Sequence, residues 1–272
     1  NETYSMRPSP ASTVNVARSE AAFWSTFLRN RNVDAGTAAD GAVAVAGGYA
    51  LCLVGTFLEH GVAIGSTRPV RPDDLAVLRA FYARRGLPPR LELDQDVLER
   101  DRPVLTSAGY LLDELVLTVL SAPTAPSSGT GTGTDGVLVR LVTNRRAWSE
   151  LVMRGFKDTL PESEHERLRR ATESSAAAAH GLFVAAIDGV DVGGGAVGIN
   201  GELAFLYSAS VLPAYRNRGV HRALLAARLA FGHARGATDA ALKTVPASAV
   251  LRSSAALGFT PLSIRRRLRA LN

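Results

Sequence analysis

Val211-Leu212-Pro213-Ala214-Tyr215-Arg216-Asn217-Arg218-Gly219-Val220-His221-Arg222-Ala223-Leu224-Leu225 reads as a buried strand that passes through a basic turn directly into an amphipathic helix. Beyond it, Val220, Leu224, Ala227 and Phe231 fall on one helical face, Arg222, Arg228 and Arg235 fall off that stripe, and Gly236 closes the helix. The first turn of any helix has backbone N–H groups without intrahelical partners and a partial positive charge. Arg216, Arg218 and Arg222 gather there and Gly219 allows close backbone approach, so the segment is predicted to cradle a phosphate-bearing anion.

Outward from this segment, apolar alternation and turn residues predict a definite order of elements in the second half. A strand at 137–143 leads to a helix at 146–154 and a charged helix at 162–179. Three antiparallel strands follow at 182–187, 190–199 and 202–211, joined by Asp188-Gly189 and Asn200-Gly201. After the basic turn and its helix come a strand at 240–245, a short helix at 248–257, Gly258-Phe259 and a terminal strand at 262–271.

The turn resembles the coenzyme A signature of the GNAT acetyltransferase superfamily, in which Gln or Arg is followed by two residues, a Gly, one residue, and a Gly or Ala. Arg216 and Gly219 match, His221 stands at the third position, and the flanking Val-Leu-Pro-x-Tyr-Arg and Ala-Leu-Leu runs extend the likeness. It covers about half of the chain. The resemblance implies an α/β fold, a twisted, mostly antiparallel mixed sheet flanked by helices, with acetyl-CoA held by Arg216, Asn217, Arg218, Gly219, Val220, His221 and Arg222. It also implies that the strand before the signature exposes unpaired backbone groups to the pantetheine arm and the acetyl carbonyl, roles that fall on Val211 and Ala209. Direct transfer of acetyl to an amine passes through a tetrahedral oxyanion, which an N–H donor from Ala209 would stabilise.

Such transfer also needs a base for the amine and an acid for the departing thiolate. Many GNAT enzymes place a tyrosine acid five residues before the Phe of the closing Gly-Phe. Ser254 stands there, a much weaker acid that could position water. Tyr207, on the strand of Ala209 and on the same face by period-two alternation, is a second candidate acid, or otherwise a pocket wall. The amide side chain that often precedes the short helix in this superfamily is replaced by Ala247. Two functional readings follow. One is an acetyl-CoA-dependent N-acetyltransferase acting on a small-molecule or peptide amine, the other a non-catalytic acyl-CoA-binding or scaffolding protein.

The first half carries a fainter echo of the plan, with a helix at 17–30, a strand pair around Gly47-Gly48, a helix at 73–84 and strands at 90–93 and 111–120. Ser107-Ala108-Gly109-Tyr110 mirrors Ala256-Leu257-Gly258-Phe259 as a Gly-aromatic helix exit. Where the second half has its basic glycine turn, the first has Arg71-Pro72-Asp73-Asp74-Leu75, and carboxylates at a helix start repel pyrophosphate. The expected organisation resembles tandem GNAT proteins: a disordered tail at 1–16, a degenerate GNAT-like domain at 17–120, a flexible connector at 121–136 rich in Ser, Thr and Gly, and a catalytic GNAT domain at 137–272.

Composition bounds these readings. The 272 residues are 46% hydrophobic and 21% charged, as in ordinary globular proteins, and a net charge of +6 suits an acidic ligand. One cysteine, Cys52, excludes an intrachain disulfide and a four-thiolate zinc site and fits a reducing, cytoplasmic setting. The apolar run at 41–58 is broken by Gly47-Gly48 and reads as two strands around a turn, so no membrane span is expected. Gly193 to Gly198 satisfies G-x-G-x-x-G, but it leads into another strand instead of a helix N-terminus and lacks phosphate-binding physics. His165, His180, His221 and His233 show no ligand clustering, and no metal is expected. Arg265-Arg266-Arg267-Leu268-Arg269 reads as a solvated edge strand rather than a nucleic-acid patch.

Overall fold

A computed structural model describes residues 13–35, 40–124 and 136–271; residues 1–12 of the expected tail and 125–135 of the expected connector lie outside them. The first half runs α1 (Thr13–Ala35), β1 (Gly41–Val45), β2 (Gly48–Cys52), β3 (Glu59–Val62), α2 (Pro72–Ala83), β4 (Arg90–Asp94), α3 (Gln95–Ser107) and β5 (Tyr110–Pro123). The second runs β6 (Val137–Val142), α4 (Arg145–Phe156), α5 (His165–Ala178), β7 (Gly181–Ile187), β8 (Val190–Asn200), β9 (Leu203–Val211), α6 (Val220–His233), β10 (Asp239–Thr244), α7 (Ala249–Ala255) and β11 (Thr260–Ala270). Sequence reasoning placed no strand at β3, whose Glu-His-Gly-Val has almost no apolar signal. No described helix is long and apolar enough to cross a membrane.

The eleven strands form one sheet in the order β1-β2-β3-β4-β11-β5-β10-β9-β8-β7-β6. Neighbours are antiparallel except β3 with β4 and β9 with β10, and each parallel contact is bridged by a crossover helix, α2 or α6, as parallel strands require. The succession β1, β2, β3, α2, β4, α3, β5 is therefore repeated as β7, β8, β9, α6, β10, α7, β11. The two repeats close reciprocally: β5 lies between β10 and β11, while β11 lies between β4 and β5. Each repeat borrows a strand from the other.

Helices cover both faces, which explains why β7 is buried along its whole length. Leu182 and Val184 pack under Trp148, Leu151 and Val152 of α4, and Phe183, Ala185 and Ile187 pack under Leu224, Leu225 and Leu229 of α6. A separate core joins α2 and α3 to β1, β2, β4 and β11 through Leu75, Leu78, Leu91, Leu93 and Leu268. α1 reaches across the junction: Leu28 packs on Leu51 and Val62, and Phe23 stacks on Phe205 with ring centroids 6.1 Å apart. Gly198 of β8 makes room for the Phe23 ring, which a Cβ there would meet at 2.4 Å. That close approach is the use of one glycine in the G-x-G-x-x-G run.

Two boundaries and one strand position differ from the sequence expectation. Val16 is buried within α1, so helix begins inside the stretch read as a tail. Ser121 and Ala122 are buried in β5 and pair with Ala241 and Ala240, so the strand enters the stretch read as a connector. The arginine run is not an edge strand, since β11 sits in the middle of the sheet. Its charge is tolerated there because β4 alternates, with Leu91 and Leu93 facing the apolar core and Glu92 and Asp94 meeting β11. Arg265, 1% exposed, bonds Glu20 at 2.5 Å, Glu92 at 3.2 Å and Asp94 at 3.2 Å, while Lys243 bonds Glu20 and Glu92 at 2.6 Å each. Burial opposes ionisation of Glu92, but Lys243 and Arg265 outweigh it and hold its carboxyl well below the usual range.

His60 borders the same cluster with Nε2 3.4 Å from Glu92, yet burial overrides that attraction and pushes its pKa down to about 3. A histidine depressed from its unfolded value near ~6.5 is neutral in the folded state and protonated in the unfolded state through the interval between. Its contribution to stability is whole above pH ~6.5 and is lost as pH falls toward the folded value. Urea unfolding should therefore show stability declining below pH ~6.5 at up to about 1.4 kcal/mol per pH unit for this one proton. A His60→Gln chain should show a slope shallower by that amount, and a wild-type profile flat from pH 7 to pH 5 would contradict the burial of a neutral imidazole.

Candidate functional site

The site forms where β9 and β10 part. Their pairing covers only Leu203–Phe205 opposite Asp239–Ala241, so from Leu206 onward β9 has no neighbour on that side. On its other side β9 pairs with β8 through a register shift, Gly194 with Ser210 and Ala196 with Tyr207. Two residues of β9, Ser208 and Ala209, thus oppose the single Gly195, a bulge in which Ser208 adopts left-handed φ +47°. The bulge leaves Ala209 outside the ladder on both sides.

From Val211 the chain makes a 3-10 turn at Pro213–Tyr215 and enters α6 through Asn217 at φ +62° and Gly219 at φ +77°. The first intrahelical bond runs from the Ala223 N–H to the Gly219 carbonyl at 3.0 Å, so the N–H groups of Val220, His221 and Arg222 precede the ladder and face outward from its positive end. Ala209, Ser210, Val211, residues 215–222, Gly155, Phe156, Thr159, Ala249, Val250, Arg252 and Ser253 of α7, and Ala256 just beyond it line a groove of about 790 Å³. The seven predicted cofactor residues of the turn and both strand positions are thereby brought together.

Their roles are not uniform. Arg216 is not free for an anion, because its guanidinium is held bidentately by Asp158 at 2.6 and 2.8 Å and donates to the carbonyls of Gly155 and Val211 at 2.9 and 3.2 Å. It ties the segment after α4 to the end of β9 and so shapes the groove wall. Arg218, set over the Tyr215 ring at 5.6 Å, and Arg222 are exposed and supply the positive charge instead. His221, at the position where the superfamily signature has Gly or Ala, turns its Nδ1 to the Ser253 hydroxyl at 2.8 Å and pins α7 to α6. Burial, aided by Arg228, lowers its pKa to about 4, so this imidazole is neutral near pH 7.

The two candidate acids do not join the groove. Ser254 is fully buried and its hydroxyl donates to the Val250 and Leu251 carbonyls at 2.7 and 3.1 Å, within its own helix. Tyr207 does not share a face with Ala209, because the bulge at Ser208 breaks the alternation. Its phenol reaches the Ser175 carbonyl at 3.3 Å and packs on Trp24 and Phe23, and burial raises its pKa well above the ordinary value. Tyr207 lines a second cavity, of about 160 Å³, together with Val16, Glu20, Trp24, Val119, Ser208 and Lys243. Sequence reasoning missed Ser253 and Asp158, whose roles come only from the approach of α7 and of the α4 end, and Arg228, placed off the apolar stripe of α6 yet fully buried beneath the sheet.

The first half shows the same crossover with different chemistry. At the start of α2, Asp74 accepts from the Arg71 N–H at 2.8 Å and pairs bidentately with Arg68 at 2.6 and 2.7 Å, while buried Asp101 accepts from the Val70 N–H at 3.2 Å. Carboxylates of the chain thus take the N–H groups of Val70 and Arg71 that lead into the helix, and Pro72 at its first position has no N–H to offer. The neighbouring cavity, lined by Ala63, Leu93, Asp94 and Asp96, holds about 50 Å³.

Residues 145–259 match the acetyltransferase (GNAT) family, and the chain thus carries a GNAT-type acyltransferase domain. Among solved structures it is similar to a GCN5-related N-acetyltransferase from Kribbella flavida, at 17% identity and a TM-score of 0.64, over 94% of this chain and 96% of that one. A GCN5-related N-acetyltransferase from Sphaerobacter thermophilus is similar over 77% of this chain and 71% of its own, at 16% identity and a TM-score of 0.55. A tandem GNAT protein from the clavulanic acid biosynthesis pathway is similar over 77% of this chain and 73% of its own, at 15% identity and a TM-score of 0.56. No match is found among curated proteins.

Proposed function

We propose that the chain is an acetyl-CoA-dependent N-acetyltransferase with one working cofactor site, in the groove of its second half, and that it acetylates a small-molecule or peptide amine directly. The observation that carries this reading is the coincidence, in one groove, of the unladdered Ala209 backbone and the open first turn of α6. Phosphates fit the Val220, His221 and Arg222 N–H groups and the exposed Arg218 and Arg222. Bound there, acetyl-CoA supplies an activated acyl group. The Ala209 N–H is the donor suited to charge that develops on the acyl oxygen, and the Val211 backbone suits the amide-bearing arm.

Between the cofactor groove and α1, the cavity beside Ser208 offers the acceptor an aromatic wall of Trp24 and Tyr207 and a charged end of Glu20 and Lys243. Residues of both repeats line it, so on this reading the first half shapes acceptor choice without holding a cofactor. The sealed helix start at Asp74 supports that division. A cytoplasmic setting belongs to the same reading and is favoured by the lone Cys52, buried with its thiol pushed up to about 12 by desolvation.

Calorimetric titration of the full chain with acetyl-CoA should saturate at one per chain. Arg216→Glu, which sets a second carboxylate against Asp158 and frees the groove wall, should abolish the heat. A stoichiometry of two would restore the first half as a cofactor site, and binding by a folded chain that survives Arg216→Glu would move the ligand elsewhere. Thiol release from acetyl-CoA in the presence of polyamines, amino sugars and lysine peptides then tests transfer itself.

A further inference from the structure

Arg228 occupies the sheet-facing side of α6 among Leu224, Leu225 and Leu229 and is 1% exposed. Its acceptors are backbone carbonyls alone: Leu224 at 3.0 Å, Ala196 at 3.2 Å and, more distantly, Tyr207 at 3.5 Å, while Nη2 is buried without a partner. This differs from Arg265, equally buried but met by three carboxylates. A buried charge without a counterion is costly, and an apolar side chain of similar volume at such a position is usually neutral or stabilising. Desolvation accordingly draws the Arg228 pKa down to about 9.

The space for this group is provided by a second unusual choice. A Cβ on Gly195 would stand 2.9 Å from the guanidinium carbon, so the glycine opposite the bulge admits the arginine. Ala196 and Tyr207, the residues whose carbonyls Arg228 approaches, are the last register pair before the bulge at Ser208 and Ala209. The guanidinium therefore braces the point where β9 leaves its ladder. It also places a positive charge 3.5 Å from the Tyr207 carbonyl, two residues before Ala209, in a dry interior where such a charge is weakly screened.

We propose that Arg228 is a positioning residue for acyl transfer, which fixes the β9 bulge through the Ala196 and Tyr207 carbonyls and polarises the acyl carbonyl held at Ala209. The inference rests on the reading of the groove as an acyl-CoA site. Arg228 makes no bond to the acyl group and exchanges no proton. A stability penalty is retained on this view because preorganised charge is most effective where water is excluded.

The test compares the full wild-type chain with Arg228→Met and Arg228→Lys in four measurements. Thermal unfolding of the ligand-free chains should show Arg228→Met as stable as wild type or more so. Calorimetry with coenzyme A should give the same affinity for all three. Isotope-edited infrared spectra of bound [1-¹³C]acetyl-CoA should show the thioester carbonyl moved to lower frequency in wild type, less moved in Arg228→Lys and unmoved in Arg228→Met. Turnover with any amine accepted by wild type should fall at least ~10-fold in kcat for Arg228→Met with KM for acetyl-CoA unchanged. A bound carbonyl equally shifted in wild type and Arg228→Met, or unshifted in wild type, would overturn the proposal, as would loss of folding in both variants, which would make the guanidinium a structural brace alone. Failure of wild type to bind acetyl-CoA would instead overturn the cofactor reading on which the inference stands.

Discussion

Gly219→Glu should lower coenzyme A affinity by at least ~10-fold, about 1.4 kcal/mol of binding free energy, in a chain that still folds. Two physical effects act together. Gly219 enters α6 at φ +77°, a conformation that costs an L-residue roughly 1–2 kcal/mol, so any side chain there tends to unwind the turn that aligns the Val220, His221 and Arg222 donors. The carboxylate also brings negative charge to the positive end of the helix, where phosphate is expected. Gly219→Ala separates the two, because it adds the strain without the charge and should show a smaller loss. Calorimetry on both variants decides the matter. Equal affinity for wild type and Gly219→Glu would place the ligand away from the α6 start.

Arg265→Met should destabilise the chain by about 3–5 kcal/mol in urea unfolding at pH 7, the range found when one partner of a buried ion pair is removed. The substitution leaves Glu20, Glu92 and Asp94 facing one another with only Lys243 and the partly exposed Arg267 nearby. Adding Glu20→Gln should recover part of the loss by removing one of the stranded charges. A loss below ~1 kcal/mol would mean that solvent reaches the cluster and that the arginine is no more than a surface ion pair. The contrast with Arg228 is instructive. The same substitution at two equally buried arginines is expected to destabilise at the paired site and not at the unpaired one.

What the chain discloses before folding follows from the range over which each signal acts. The strand, turn and helix at Val211 to Leu225 were legible because their causes are local: an apolar stripe, a glycine needed at positive φ, and arginines within one turn. The second-half element order, and the carboxylate-bearing start of α2, were legible for the same reason. The arginines of β11 were misread because their partners lie 171 and 245 residues away, at Asp94 and Glu20, and no local pattern separates a compensated interior charge from a solvated one. Tyr207 was assigned to the face of Ala209 because alternation assumes an unbroken ladder, and the bulge at Ser208 becomes visible only when β8 is laid alongside. Ser121 and Ala122 looked like connector because they are small, yet neighbouring strands bury them.

The exchange of closing strands has a temporal consequence. During synthesis the first repeat emerges with β1 to β5 complete in sequence, but the place beside β4 belongs to β11, the last described strand. Domains ordinarily fold one after another as they leave the ribosome. Here the first repeat must wait, with β4 and the long β5 presenting open edges, until β11 has been made. The contacts that seat β11 join residues far apart along the chain, the kind whose loop-closure cost slows folding. Maturation of the sheet is thus a single late event for both repeats, and the waiting edges of β4 and β5 are the surfaces through which a crowded, newly made chain would pair with its neighbours instead.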